Sequence, residues 1–174
     1  MLDGDITFRD LAYNDMPLLH RWLNAPHMRA HYQRLPMTLD EVIAKYTPRI
    51  DGRVDTHCHI ALLDDKPFGK IQCFSNAVFP DFSADIILDD GISLDIFIGE
   101  GDMLGQGLGP RMLRAYLKDV AFRIFGSETH CYICHATDNP AAIRSSLKAG
   151  FRFLRDVIEA EAPAKLFVID KESL

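Results

Sequence analysis

Hydrophobic and polar residues follow two different periods along the chain, which separates predicted strands from predicted helices. Runs with a period of two, or continuous apolar runs rich in β-branched residues, predict strands, and apolar residues at helical spacing predict helices between them. We therefore expect one α/β domain over residues 1–174, with a mixed sheet of six to seven strands and helices on both faces. The predicted strands cover residues 5–11, 57–63, 68–74, 92–98, 129–136, 151–156 and 165–169.

Local signals delimit some of the other elements. Thr38-Leu-Asp-Glu41 has the form of a capping box, so a helix is predicted from there to about residue 46, with Pro48 ending it. Residues 75–91 follow neither period consistently, and we expect a loop or a weak strand there.

A glycine-rich turn directly follows the predicted strand at 92–98 and opens into an amphipathic helix. Gly105, Gly107 and Gly109 carry no Cβ, so backbone N–H groups can converge on a ligand, and Pro110 suits the first turn of the helix. The N–H groups and the helix dipole predict an anion site suited to a phosphate or pyrophosphate. A Walker loop is excluded, because Pro110 and Arg111 stand where Lys and Ser or Thr are required.

Charge and composition narrow the possible partners. The net charge of −6 argues against nucleic acid as a main partner and leaves room for a cationic substrate. The chain has no apolar run long enough to span a membrane, and its N-terminal residues lack the features of a signal peptide, so a cytoplasmic location is expected. Acidic residues are concentrated in one stretch without Lys or Arg: Asp81, Asp85, Asp89, Asp90, Asp95, Glu100 and Asp102.

Four cysteines and neighbouring histidines raise the question of a metal site. Cys131 and Cys134 fall three residues apart on a predicted strand, so their side chains point to opposite faces and do not share a ligand sphere unless the chain turns there. We therefore expect reduced, buried thiols and no metal.

Two separated motifs in the C-terminal half carry a family resemblance. They are Gly105-Gln-Gly-Leu-Gly109 and, after a helix and a strand, Asn139-Pro-Ala-Ala-Ile-Arg-Ser-Ser-Leu-Lys-Ala-Gly-Phe151. In this order and at this distance they resemble the acetyl-CoA-binding core of the GNAT superfamily of N-acetyltransferases. Leu104 departs from the superfamily, where Gln or Arg is common. We expect the change to be tolerated, because the loop binds mainly through its backbone.

Three further segments extend the resemblance over nearly the whole chain. Arg21-Trp-Leu-Asn-Ala-Pro-His27 resembles a segment of bacterial aminoglycoside 6'-N-acetyltransferases and of the related siderophore-biosynthesis acyltransferases. Lys66-Pro-Phe-Gly-Lys-Ile-Gln72 and Leu94-Asp-Ile-Phe-Ile-Gly99 are similar to the aminoglycoside group in particular. The resemblance is looser before residue 60.

The resemblance implies acetyl-CoA as co-substrate, held where two adjacent strands splay apart. The backbone of the central strand would pair with the pantetheine arm, and the glycine loop would bind the pyrophosphate. The implied cofactor-binding residues are Ile96, Phe97, Ile98, Leu104, Gly105, Gln106, Gly107, Leu108, Gly109, Pro110 and Asn139.

Asp95 matches an active-site aspartate of the aminoglycoside enzymes and is the first catalytic candidate. A carboxylate there would attract a cationic amine and take its proton directly or through water. Its ordinary pKa makes it a weak base unless burial or other carboxylates raise that pKa, so electrostatic positioning is the alternative role. A carboxylate that only caps backbone groups at a sheet edge is the non-functional alternative.

The chain departs from the superfamily at Ser146, where a tyrosine often protonates the departing thiolate. Either water or another group then does that work. His135 is the catalytic candidate and Tyr132 a second one, although a packed or solvent-facing histidine is the simpler explanation. On the acceptor side, Tyr32, Gln72, Asp85 and Asp95 are expected to bind substrate, and Tyr32 and Gln72 could instead be ordinary residues at the edge of the core.

These residues predict an acetyl-CoA-dependent N-acetyltransferase that acts on a primary amine of a cationic small molecule, most similar to the aminoglycoside 6'-type and to antibiotic-resistance enzymes. The alternatives are a siderophore-biosynthesis N-acyltransferase, a family member that acts on a polyamine or metabolite amine, and a non-catalytic acyl-CoA-binding protein. No nucleic-acid or membrane partner is expected, and the protein would be a monomer or homodimer.

Overall fold

The computed structural model describes residues 2–88 and 90–174, so Asp89 lies outside the described residues. The strands are, in chain order, β1 (Ile6–Asp10), β2 (His57–Leu63), β3 (Lys66–Ser75), β4 (Ile92–Ile98), β5 (His130–Ala136), β6 (Arg152–Glu159) and β7 (Ala162–Asp170). They form a mixed sheet in the order β1-β2-β3-β4-β5-β7-β6. The β4–β5 pair is parallel, whereas β1–β2, β5–β7 and β6–β7 are antiparallel.

Helices occupy most of the connections between these strands. A π-helical turn at Leu117–Ala121 joins the fifth and sixth helices in chain order. The helices are α1 (Met16–Leu23), α2 (Pro26–His31), α3 (Leu39–Ile50), α4 (Pro80–Ile86), α5 (Leu108–Tyr116), α6 (Phe122–Ile124) and α7 (Pro140–Ala149). Each predicted strand is present, with ends that differ by a few residues, so the mixed α/β fold class is confirmed.

Helix α3 begins where the capping box predicts but ends later. The Thr38 hydroxyl accepts from the backbone N–H of Glu41 at 3.2 Å, and the Glu41 carboxylate accepts from the N–H of Thr38 at 2.7 Å. The predicted end at Pro48 is wrong, since α3 continues to Ile50. In the last turn, Arg53 N–H donates to the carbonyl of Pro48 at 2.8 Å, so one of the carbonyls at the end of the helix has a partner.

The segment 75–91 contains helix α4, which corrects the prediction of a loop or weak strand. A buried network holds it: Ser83 Oγ donates to the carbonyl of Asn76 at 2.5 Å, and Ser93 Oγ donates to Asn76 Oδ1 at 2.6 Å. Asn76 Nδ2 in turn donates to the carbonyl of Asp90 at 2.7 Å. A helix of two turns is too short to stand on periodicity alone, and tertiary hydrogen bonds decide its formation.

The chain comprises two compact units. The first contains the described residues up to 72 together with 96–106, and the second contains residues 73–95 and 107–174, apart from Asp89. The expectation of a single domain remains a prediction. In the first unit, fully buried Leu19, Trp22, Leu23 and Ile60 form the centre of a core cluster with Phe97.

The second unit contains the parallel strand pair and helices α4 to α7. Ile86 of α4 packs with Val157 of β6 and Leu166 of β7 on one side of the sheet. Helix α5 packs against α7, and its apolar stripe includes the buried side chains of Met112 and Tyr116. The two helices that follow the glycine loop and β5 thus pack together.

Asp15, the residue before α1, forms an ion pair with Arg9 of strand β1. Its carboxylate accepts two hydrogen bonds from the Arg9 guanidinium, both at 2.7 Å, and a third from the N–H of Ala12 at 2.9 Å. Burial by itself raises the pKa of Asp15, but the Arg9 and Ala12 hydrogen bonds outweigh it and hold the pKa below its ordinary value.

Replacing Asp15 with Asn should lower the free energy of unfolding at pH 7 by about 1–2 kcal/mol, because charge-assisted hydrogen bonds are lost. Since the pKa of Asp15 is lowered on folding, its stabilisation is complete above the unfolded pKa of about 3.9 and disappears as the pH falls through the folded value. Urea unfolding at pH 7 and at pH 3 should show the difference between the two proteins shrinking in acid. An equal difference at both pH values would contradict this explanation.

Candidate active site

The parallel ladder between β4 and β5 ends beside Asp95. Its residue pairs run from Ile92 opposite Cys131 to Leu94 opposite Ile133, whereas β5 itself continues to Ala136. A ladder that ends inside two longer strands leaves backbone groups for a ligand to pair with. Asp95, which is partly exposed, comes directly after the last pair, and the cofactor site that the resemblance implies beside this strand remains a prediction.

The pairing register divides the nearby side chains between the two faces of the sheet. Leu94 and Ile133 share a face, and alternation puts His135 on it as well. Asp95 and Cys134 lie on the opposite face by the same alternation. Helix α7 covers the first face through Ser146, and α4 covers the second through Ile86, which packs near Cys134.

The carboxylates of Asp95 and Asp85 both act on Glu159 on the α4 face. The Cys134 thiol hydrogen-bonds to Glu159, and Asp85 Oδ2 accepts from the N–H of Ala160 at 2.9 Å. Burial raises the pKa of Glu159, and the neighbouring carboxylates of Asp95 and Asp85 raise it further, against the lowering effect of the Cys134 hydrogen bond. Like charges close together disfavour ionisation, so a cation would relieve this repulsion.

Glu159 is the acidic residue that sequence reasoning missed. It lies at the end of an exposed edge strand, β6, with no motif around it, and only the pairing of β6 with β7 brings it near Asp95. Asp85, a predicted substrate-binding residue, belongs to the same group. Asp81 and Asp90 of the acidic stretch are exposed.

His135 forms the other polar feature of this region. Its Nε2 lies 2.7 Å from the Oγ of Ser146, and its ring is 5.8 Å from the ring of Phe167. Burial lowers the pKa of His135 to about 4, although the Asp95 carboxylate acts in the opposite direction. The imidazole is therefore neutral at pH 7 while the residue keeps part of its surface accessible.

The glycine loop has the backbone conformation that its sequence requires. Gly105 and Gly107 have φ angles of +72° and +80°, which side chains rarely tolerate, and Gly107 is the residue before α5. The N–H groups of Leu108 and Gly109 lie in the first turn of that helix, where no helical carbonyl accepts from them. A Cβ at Gly109 would overlap the Ser145 hydroxyl of α7, so a larger residue there would require that hydroxyl to rotate away.

Asn139 has a visible structural role. Its Oδ1 accepts from the N–H of Ala142 at 3.1 Å, which makes it the N-cap of α7. The contact with the cofactor that the resemblance implies for Asn139 remains a prediction, as do the cofactor contacts of the exposed Leu104 and half-buried Gln106 and Pro110.

In the first unit, the end of β4 is packed by aromatic side chains. The buried ring of Phe97 contacts Tyr32, with ring centroids 4.9 Å apart, and Trp22, at 6.1 Å. His27 Nε2 donates to the carbonyl of Ile98 at 3.1 Å. Ile96 is partly exposed on the same strand.

Gln72 is held inside the first unit. Its Oε1 accepts from the Lys70 ammonium at 2.5 Å and from the Cys58 thiol at 3.2 Å, and the residue is 9% exposed. Lys70 itself is buried, with its Nζ 5.2 Å from the ring centroid of Tyr46. The carbonyl of the Gln72 amide is thus engaged by the protein. Contact of Gln72 or Tyr32 with an acceptor remains a prediction.

Within residues 2–88 and 90–174, no group of three or more His, Cys, Asp or Glu side chains is arranged to hold a metal ion. Cys131 and Cys134 lie on opposite faces of β5, as its regular register with β7 requires. In the same part of the chain, none of the helices has the length and apolar character needed to cross a membrane.

Comparison with known proteins places these features in a family. The family model for the acetyltransferase (GNAT) domain matches residues 12–158. The aminoglycoside N(6')-acetyltransferase type 1 of Klebsiella pneumoniae is 26% identical over 174 residues, covering 98% of this chain and 86% of that protein.

Two solved structures of the aminoglycoside acetyltransferase AAC(6')-Ib are similar throughout, both at 26% identity. The complex with paromomycin and acetyl-CoA has a TM-score of 0.86 and covers 98% of this chain and 96% of its own. The complex with coenzyme A and kanamycin has a TM-score of 0.85 and covers 97% and 96%. Because the family model spans most of the chain, the protein belongs to the GNAT acetyltransferase family, as its two C-terminal motifs predict.

Proposed function

We propose that this protein is an acetyl-CoA-dependent N-acetyltransferase that acetylates a primary amine of a cationic small molecule, with the 6'-amine of an aminoglycoside as the acceptor. The observation that carries the proposal is the position of Asp95, directly after the last pair of the β4–β5 ladder, in a chain whose aminoglycoside-acetylating relatives match it over 98% of its length. A bound acceptor would meet the Asp95 carboxylate at the end of the β4–β5 ladder.

Acetyl-CoA binding uses the backbone more than side chains. The N–H groups of the glycine loop and the first turn of α5 would bind the pyrophosphate, because the helix dipole and the positive-φ glycines favour an anion there. The backbone of Ile96 to Ile98 would pair with the pantetheine arm. The two AAC(6')-Ib structures hold acetyl-CoA or coenzyme A, which supports this co-substrate.

The acidic group supports a cationic acceptor. Asp95, Asp85 and Glu159 are close enough to raise the pKa of Glu159, so an ammonium group placed among them would stabilise their ionised forms. An aminoglycoside carries several such groups, and one carboxylate could hold a neighbouring ammonium while Asp95 serves the reacting one.

Acetyl transfer requires a neutral acceptor amine and the exchange of the C–S bond of the thioester for a C–N bond. Asp95 takes a proton from the acceptor ammonium, directly or through water, and so produces the neutral amine. Its nitrogen attacks the thioester carbon and forms the C–N bond, then gives up one of its two protons as the C–S bond breaks. The departing thiolate gains a proton, so the products are the amide and the free thiol of coenzyme A. Such an enzyme would act in the cytoplasm as a monomer or homodimer and would lower susceptibility to aminoglycosides.

Purified protein should release thiol from acetyl-CoA in the presence of kanamycin-like aminoglycosides, and the product should gain one acetyl group at the 6'-amine. An aminoglycoside with a hydroxyl in place of that amine is the matched control and should give only background release. Spermidine, lysine derivatives and a hydroxylamine acceptor complete the panel. Release with spermidine or hydroxylamine alone would replace the aminoglycoside with that acceptor, and bound coenzyme A without any transfer would indicate a binding protein.

A further inference from the structure

The hydrogen bond between Ser146 and His135 joins a completely buried serine to a partly exposed histidine. Ser146 is 0% exposed in the middle of α7, and its hydroxyl lies 2.7 Å from His135 Nε2. A buried hydroxyl requires a partner, and here the partner is a side chain that keeps part of its own surface accessible. Ser146 therefore fixes the orientation of a ring that can still meet a ligand.

Residues of the neighbouring strands β7 and β4 act on the imidazole of His135. Phe167 of β7 lies against the ring, and Lys165, directly opposite His135 in the β5–β7 register, pairs with Asp156 at 2.6 Å. The Asp95 carboxylate acts on the ring from β4. His135 thus lies on the sheet face covered by α7, the helix that packs against α5, while the acidic group around Asp95 lies on the other face.

We propose that Ser146 is a positioning residue that holds the His135 imidazole so that His135 carries the proton to the departing sulfur of the acyl donor. This inference rests on the proposed acetyl transfer and assigns the one group that transfer left open. It also accounts for the pairing of a serine in α7 with a histidine on the neighbouring strand.

The hydrogen bond fits either tautomer of His135, and the proposed role requires the one in which Nε2 carries the proton. When His135 Nε2–H donates to Ser146 Oγ, the lone pair of the ring lies on Nδ1, which can accept a proton and give it up again. As the amine nitrogen bonds to the thioester carbon it loses a proton, which Nδ1 accepts. The C–S bond then breaks and Nδ1 passes that proton to the sulfur. The imidazole ends neutral, and the products are the amide and the free thiol of coenzyme A.

The low pKa of His135 is consistent with this work. A ring with a pKa of about 4 is neutral when the enzyme rests at pH 7, so its lone pair is present. Once protonated it is a much stronger acid than a thiol, whose ordinary pKa is about 8.5, so delivery to the thiolate is favourable.

Replacing Ser146 with Ala should lower kcat with acetyl-CoA about 10-fold, and His135→Gln about 100-fold, with little change in KM for either substrate. The deciding measurement compares acetyl-CoA with an acetyl thioester of a nitrothiophenol, whose thiolate leaves without a proton. With that donor both losses should shrink to about threefold or less. Equal losses with the two donors would mean that the pair is only structural and would overturn the inference.

His130→Gln is the matched control, since His130 is an exposed histidine at the other end of β5 that pairs with Asp170 at 3.2 Å. It should retain wild-type kcat with both donors. ¹⁵N NMR of the imidazoles supplies a readout that needs no acceptor: the wild-type ring should carry its proton on Nε2, and Ser146→Ala should change that preference. An unchanged tautomer, or a proton on Nδ1 in the wild type, would overturn the assignment.

An assay of acetyl-CoA hydrolysis without an amine separates this inference from the proposed function, because water replaces the amine while the leaving group stays the same. If no amine is acetylated but hydrolysis shows the same dependence on leaving group and on Ser146, the acceptor proposal fails and the role of the pair stands. If aminoglycosides are acetylated but the loss of rate in both variants is the same for either leaving group, the acceptor proposal stands and the inference about the pair fails.

Discussion

Replacement of Asp95 by Asn is expected to lower kcat for the acceptor amine by at least about 100-fold, which is the size of effect that a positioned acid or base contributes. The amide keeps the shape of the side chain but neither attracts an ammonium nor accepts its proton. Coenzyme A should bind as before, because the site proposed for it uses the backbone of the glycine loop. Steady-state kinetics with an aminoglycoside and calorimetric titration with coenzyme A measure the two effects separately.

Asp119→Asn is a suitable control for this change. Asp119 is an exposed carboxylate that forms an i,i+4 pair with Arg123 at 3.8 Å, away from the β4–β5 ladder. It should leave both kcat and coenzyme A binding unchanged. Wild-type turnover in Asp95→Asn would remove Asp95 from the mechanism, and loss of coenzyme A binding would mean that the residue supports the fold of the strand end.

Gly99→Ala should be the most destabilising single-methyl change, with a loss of about 3 kcal/mol or more in the free energy of unfolding. A Cβ at Gly99 would lie within 2.6 Å of three atoms of the Trp22 indole. That ring is fully buried and donates from Nε1 to Glu100 at 2.9 Å, so it has no room to move away. The melting temperature should fall by about 6–12 °C.

Gly126→Ala is the matched control, because nothing lies within 4 Å of its added Cβ and its φ is not positive. Its melting temperature should stay within about 2 °C of wild type, as for most surface substitutions. Equal effects of the two changes, measured by calorimetry, would show that backbone freedom at the glycines matters more than the indole contact.

Local features were predictable where neighbouring residues carry the whole signal. The capping box at Thr38 forms from a hydroxyl and a carboxylate three residues apart, so its geometry is set by the helix itself. Gly107 has positive φ and Gly150, at φ +104°, ends α7, since only glycine enters that region without strain. The strand that ends at the glycine loop and the helix that follows it were predicted by the same local reasoning.

Features that depend on distant residues were not predictable in this way. Helix α4 depends on the buried Asn76 network, which reaches Ser93 in the following strand. Glu159 has no surrounding motif and gains its raised pKa only from burial and from Asp95 and Asp85. The pairing of Ser146 with His135 likewise requires α7 to cover one face of β5.

The amino-acid sequence by itself determined the family, the order of the strands and the backbone of the glycine loop, because periodicity, caps and positive-φ glycines act over a few residues. The tertiary structure alone decided which side chains meet at the end of the β4–β5 ladder: Asp95 with Glu159 on one face, and His135 with Ser146 on the other. The physical reason is that burial and charge proximity, which shift the pKa of Glu159 and of His135, arise only when strands far apart in the chain pack together.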